Sequence, residues 1–258
     1  MKKIICILFL FSTFVNAQTL IYWFVADSLG LVDGAAVTSL PDYSGNSNDF
    51  AAIYAGYFRE NRALISGGAA STHDAVGLAN DSYSIANLDT TVSDYTFIFV
   101  YDSHEIDDFN TRRLFDHKST RLTYDTRSPS GTTKFGVTVG GVSTIIGDAF
   151  STGDSVKVIA MQCNSPTVKV YIDSVLQATT ANYTAQDLDS TLAIGSSYAS
   201  GNRVEGDLFE FRIYRGTMSD ADVRSVSWDR YLHYRDLTPT NERYYFRGIR
   251  PKALTKRQ

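Results

Sequence analysis

The chain has 258 residues, 43% of them hydrophobic and 13% aromatic, with a formal net charge of −4. That is enough apolar material to build a full core. Residues 18–238 carry 16 Lys and Arg against 27 Asp and Glu, a balance of −11, whereas 239–258 carry 6 against 1, and an acidic body argues against nucleic acid as its ligand.

Lys2 and Lys3, the apolar run from Ile4 to Phe11 and the small residues Val15-Asn16-Ala17 have the layout of a secretory signal peptide. The apolar run is too short for a membrane span. The expected organisation is therefore a signal peptide at 1–17, one domain at 18–238 and a basic extension at 239–258. The mature chain is expected to start at Gln18 and to be secreted or held at the cell surface. It then keeps one cysteine, Cys163, so no internal disulfide can form. Cys163 adjoins an apolar run and reads as a small buried hydrophobe.

The first strand is expected at 21–25. The polar stretch "LPDYSGNSNDF" (40–50) follows. Asx side chains fold back on the backbone and Gly45 supplies a permissive dihedral, so the stretch reads as a turn. The same residue types suit a hard cation. If Ca2+ binds, Asp42, Asn48 and Asp49 are the expected oxygen donors, with Asp27 a further one, although the spacing is not that of an EF-hand. Tyr54, Tyr57, Tyr183 and Tyr198 lie near turn-rich segments and are candidates to stack on sugar rings. The competing reading makes them half-buried strand residues.

Strands are expected at 95–101, 112–116, 121–125, 133–139, 142–146, 155–162, 167–173, 191–195 and 207–215. "YTFIFVY" and "SVKVIAMQ" are almost continuously apolar and read as central strands buried on both faces. In "TVKVYID", Val168, Val170 and Ile172 alternate with Lys169 and Tyr171. In "DLFEFRIYR", Phe209, Phe211 and Ile213 alternate with Glu210 and Arg212. Asp173-Ser174 sits between two β-rich runs and predicts a hairpin. One helix is expected at 219–234, with Ser219 and Asp222 in a capping-box arrangement and Met218 and Val223 at the positions of a hydrophobic staple. The period-two pattern predicts an all-β jelly-roll sandwich of two antiparallel sheets with one C-terminal helix.

The run from Trp23 through Ala26-Asp27-Ser28, Asp33-Gly34, Asp42, Ser44-Gly45 and Asn48-Asp49 resembles the opening of laminin G-like domains of the concanavalin A-like lectin/glucanase superfamily. "GDLFEFRIYRGTMSDADVRSVSWDRYL" resembles that family's last strand and terminal helix. The resemblance covers about 20–236 and implies the same sandwich. β-Glucanases of the superfamily carry Glu-x-Asp-x-x-Glu. "HEIDDFN" matches with Glu105 and Asp107 but has Asn110 where the second Glu belongs, and an amide cannot act as acid and base in retaining hydrolysis. The four histidines show no short metal-ligand spacing. The expected function is thus an exported non-catalytic binding module for a glycan or cell-surface polysaccharide. The alternatives are a structural or adhesive module contacting protein and, third, a glycoside hydrolase. The basic tail adds two readings, a solvated terminus or an arm for self-association.

Overall fold

The computed structural model describes residues 18–66, 69–79, 82–103, 112–117, 123–127, 134–139, 142–148, 156–181, 183–196 and 204–234. The leader, Glu105, Asp107, Asn110, Tyr198 and the basic tail lie outside the described residues. In chain order the strands are β1 (Thr19–Val25), β2 (Ala36–Leu40), β3 (Phe50–Ser66), β4 (Ala69–Ala79), β5 (Ser82–Ile85), β6 (Asp89–Ser93), β7 (Tyr95–Ser103), β8 (Arg112–His117) and β9 (Thr123–Arg127). They continue with β10 (Lys134–Val139), β11 (Val142–Asp148), β12 (Lys157–Asn164), β13 (Thr167–Ile172), β14 (Val175–Ala181), β15 (Gln186–Leu188), β16 (Leu192–Ile194) and β17 (Glu205–Arg215). A 3-10 turn, Ala26–Ser28, follows β1, and the helix α1 (Asp220–Tyr234) follows β17.

All the pairings are antiparallel. The main path runs β11-β10-β9-β8-β16-β5-β3-β4-β17-β7-β12-β13-β14, with β1 beside β17 and β2 beside β3, and β6 and β15 form a separate two-stranded ribbon. The two layers expected as separate sheets are thus hydrogen-bonded to each other through β3 and β4. The path folds over at that hairpin and closes a sandwich. Phe115 on β8 lies 4.5 Å from Phe97, 5.9 Å from Phe99 and 6.3 Å from Phe211, although several strands separate them along the ladder. Phe99 and Phe211, paired across β7 and β17, stack at 4.5 Å. Such offset aromatic pairs add about 0.5–1.5 kcal/mol beyond area burial.

The continuously apolar strands have two burial partners. Tyr95, Phe97, Phe99 and Tyr101 of β7 enter the main core, as do Ile159, Met161 and Cys163 of β12. Ile98 and Val100 of β7 and Val158 and Ala160 of β12 point the other way, into a second cluster with Met218, Val223 and Tyr234. Helix α1 therefore covers the outer face of one layer. Ser219 caps it: the Asp222 N–H donates to the Ser219 hydroxyl at 3.1 Å. Met218 and Val223 are both buried in the same cluster, as the staple predicts. Cys163 is fully buried, and burial pushes its thiol far above its ordinary range.

One expectation is corrected. Phe209 does not share a face with Phe211 and Ile213. The β7–β17 register slips between Leu208 and Glu210. This bulge turns Phe209 out under the helix, where it packs against Tyr234 at 5.8 Å, while Leu208, Phe211 and Ile213 stay in the main core. A bulge inserts one residue and so inverts the alternation beyond it. Strict period-two reading misses such a slip.

Candidate functional site

The 42–49 loop is held by its own side chains. Asp42 Oδ1 accepts the N–H groups of Trp23 (3.0 Å) and Ser44 (2.8 Å). Its Oδ2 accepts the Ser44 hydroxyl (2.8 Å) and the Asn48 N–H (3.1 Å). Asp49 Oδ1 accepts the Asp42 N–H at 2.8 Å. The Asn48 amide donates to the Ile21 carbonyl at 3.0 Å. Gly45 and Ser47 take positive φ values of 93° and 61°, the conformations that let the chain wrap around Asp42. Burial, with the charges of Asp42 and Asp49 adding to it, raises the Tyr22 pKa well above normal. Asp27 sits in the 3-10 turn, and its charge acts on Tyr234. The loop brings Asp42, Asn48 and Asp49 together and spends Asp42 on backbone donors. No group of three or more His, Cys, Asp or Glu placed to hold a metal occurs among the described residues.

Of the candidate tyrosines, Tyr54 (44% exposed) and Tyr57 (54%) are open to solvent on β3, beside the partly exposed Ile53. Tyr183 is a correction to its expected exposure. It is only 3% exposed and belongs to the main core, because its N–H is tied to the Pro166 carbonyl at 3.1 Å.

Two buried polar groups carry electrostatic weight. Glu210, turned under the helix by the bulge, accepts the Trp23 indole N–H at 3.0 Å and the Tyr234 hydroxyl at 3.1 Å. It also pairs with Arg212, and with Arg230 at 3.6 Å. The Arg212 guanidinium lies 5.0 Å over the Trp23 ring. This network joins β1, β17 and α1. His117 at the end of β8 is fully buried, with Nε2 3.1 Å from the Ser190 hydroxyl. Burial lowers its pKa from 6.5 to about 4, against the opposing charge of Asp187, so the ring is neutral at pH 7.

A concave feature lies between the β13–β14 hairpin and α1. Asp173 and Ser174 both take positive φ (49° and 69°), which makes the tight turn. Asp173 clamps the tip to β12: its N–H donates to the Val158 carbonyl at 2.8 Å and its Oδ1 accepts the Val158 N–H at 2.9 Å. On α1, Ala221, Arg224, Ser225 and Trp228 fall on one stripe by helical spacing, opposite the buried Val223 and Ser227. Stripe and hairpin tip line a shallow, open cleft of about 640 Å³. Trp228 is 48% exposed, and its ring stacks on Tyr231 at 5.0 Å with 12° between planes. Arg224 lies 5.8 Å over the Tyr171 ring.

Residues 77–224 match the family described as the concanavalin A-like lectin/glucanases superfamily, in its laminin G-like branch. The chain belongs to this superfamily. Its matched region begins after the 40–50 loop and ends inside α1. Solved structures agree with this concanavalin A-like assignment at the level of fold. Domain 4 of AbnA, a GH43 extracellular arabinanase from Geobacillus stearothermophilus in complex with arabinotriose, is 17% identical, with a TM-score of 0.54 over 81% of this chain and 98% of that one. A mutant GH54 α-L-arabinofuranosidase is 11% identical (TM-score 0.57, 78% of this chain and 51% of that one). The receptor binding domain of botulinum neurotoxin D is 14% identical (TM-score 0.54, 83% and 53%). The chain thus spans about half the length of the last two. No curated protein matches it.

In this concanavalin A-like domain the cleft residues Trp228 and Arg224, and Tyr231 that braces the tryptophan, were not singled out by sequence reasoning as ligand contacts. A signal existed: Trp228 stands off the Val223–Tyr234 stripe, so the helical pattern itself sends a tryptophan to the solvent side.

Proposed function

We propose that this is an exported, non-catalytic module that binds carbohydrate, and that the hairpin–helix cleft is its ligand site. One observation carries the reading: a half-exposed tryptophan, Trp228, braced flat against Tyr231 at the edge of a concave surface. A tryptophan left open to water forgoes burial worth about 2 kcal/mol or more. A sugar ring laid on its face would recover much of that, while Ser174 and Ser225 offer hydroxyls for hydrogen bonds. The arabinotriose held by the related arabinanase domain lends support at the level of fold class only. The non-catalytic reading rests on Asn110 standing where a second carboxylate belongs. The buried Glu210 is engaged by four donors.

The test is a glycan array followed by calorimetry on the wild type and on Trp228→Ala. Saturable binding that weakens at least ten-fold in the variant is expected. Silence across the array would remove the reading, and release of reducing sugar from a β-glucan, abolished by Glu105→Gln, would replace it with hydrolysis. A second reading, adhesion to protein, is favoured by Val175 and Leu176 at the hairpin tip, 60% and 36% exposed. Capture of a partner by the wild type but not by a Val175→Ser, Leu176→Ser variant would support it.

A further inference from the structure

The cleft holds a charge that a neutral sugar would not use. Arg224 is the one charged residue among those lining it, and no carboxylate lines it. The acids around the cleft have partners elsewhere. Asp220 receives Lys169 Nζ on both oxygens at 2.8 and 2.6 Å, and that hydrogen bond holds its pKa below the usual range. Asp173 accepts the Val158 N–H and lies 3.4 Å from Lys157 Nζ. Asp222 accepts the Ser219 hydroxyl, and Asp229 pairs with Arg230. Arg224 sits over the Tyr171 ring at 5.8 Å, a cation–π contact that steadies a side chain otherwise exposed. Tyr171 keeps its proton there, its pKa pushed up to about 12 by burial and by Asp220.

The hairpin tip supplies a second observation. Tight turns with two left-handed residues favour glycine at the second position. This turn has Ser174, at φ 69°. A non-glycine residue in that region is strained, and Ser174 lines the same cleft as Arg224.

We propose that the cleft is selective for a saccharide bearing an anionic group, a carboxylate or a sulfate ester. Its sugar face lies on Trp228 and its anion is held by the Arg224 guanidinium with the Ser174 hydroxyl. The proposal rests on the carbohydrate reading of the same cleft. Guanidinium hydrogen bonds to carboxylate or sulfate are charge-assisted and planar, which makes arginine the fitting residue. The body as a whole is acidic, so attraction must come from this local contact rather than from the overall field, and it should persist at physiological salt.

The test measures Kd by calorimetry in about 150 mM salt, a screening length of roughly 8 Å. The probes are polygalacturonate with its neutral methyl ester, and dextran sulfate with dextran. The first pair reports a carboxylate and the second a sulfate. Wild type is compared with Arg224→Gln, Arg224→Lys, Ser174→Gly and Trp228→Ala, with circular dichroism to establish that each is folded. At least one anionic probe is expected to bind ten-fold or more tightly than its neutral counterpart. Arg224→Gln should erase that preference, Arg224→Lys should restore part of it, and Ser174→Gly should reduce it. Trp228→Ala should weaken anionic and neutral probes alike. Equal affinity for charged and neutral probes, unchanged in Arg224→Gln, would overturn the anionic specificity and leave carbohydrate binding standing. Anion binding indifferent to both Arg224→Gln and Trp228→Ala would overturn the location. No binding of any probe would remove both readings.

Discussion

His117 gives a prediction whose sign and size follow from its surroundings. The ring is buried and neutral, with a folded pKa of about 4 against 6.5 in the unfolded chain. Between those values the unfolded chain takes up a proton that the folded chain refuses. Stability contributed by this group is therefore intact above about pH 6.5, declines as pH falls, and levels off below about 4. At about 1.36 kcal/mol per pH unit the full loss is roughly 3 kcal/mol, with about 2.5 kcal/mol gone by pH 4.5. Carboxylates also respond to acid, so the comparison must be with His117→Gln, whose amide can still meet Ser190 but does not titrate. Urea denaturation of both proteins across about pH 7.5 to 4.5 is the assay. The variant starts less stable, because the amide fills the ring's space imperfectly, and its profile should fall by about 2.5 kcal/mol less than that of the wild type. Parallel profiles would refute the reasoning, since they would mean that His117 protonates as readily in the folded state as in the unfolded one.

Glu210→Gln should lower stability by about 3–5 kcal/mol in the same urea assay, because it leaves the largely buried Arg212 without its countercharge; a loss under about 1 kcal/mol would show that the network is not desolvated. Millimolar Ca2+ or EDTA should leave the melting temperature unchanged, because the Asp42 oxygens already accept four hydrogen bonds; a calcium-dependent rise would return Asp42, Asn48 and Asp49 to the role of ligands. Gly56→Ala should destabilise by about 1–3 kcal/mol, since a Cβ there meets the Gly77 carbonyl oxygen at 2.7 Å and the Tyr83 hydroxyl at 2.8 Å; near-wild-type urea stability would contradict that close packing. Removing 239–258 should change neither the melting temperature nor the sedimentation behaviour at low salt; loss of an oligomer without loss of stability would instead make the tail an assembly arm.

The strands most legible in the sequence were those whose alternation faces one core and one solvent or helix surface, such as Val168-Lys169-Val170-Tyr171-Ile172. The continuous runs of β7 and β12 were legible as doubly buried, although the sequence could not say that α1 provides the second cover. β3 and β4 escaped because alanine is the commonest residue in each and the remaining apolar residues do not keep a period of two. The helix cap was readable to the residue, because Ser219, Asp222, Met218 and Val223 act over short sequence distances. The site was less so. Tyr183 and Tyr57 share a residue type and turn-rich surroundings, and only tertiary packing makes one core and the other surface. The His117–Ser190 contact joins residues 73 positions apart, and no local pattern announces it.

β17 has a consequence for how the chain comes to be folded. One edge of this strand takes β7 along nearly its whole length, and the other is shared between β1 and β4. Thr19 finds Arg215 only after almost the entire domain has been made. Until β17 arrives, β1 has no strand beside it, β7 is paired on one edge alone, by β12, and the sandwich cannot close. Long-range pairing of this kind folds slowly, since loop closure is charged before any contact rewards it. A nascent chain would therefore stay open until its last strand emerges. The same delay leaves one edge of β7, a strand apolar on both faces, without a partner, and an open apolar edge of this kind invites aggregation.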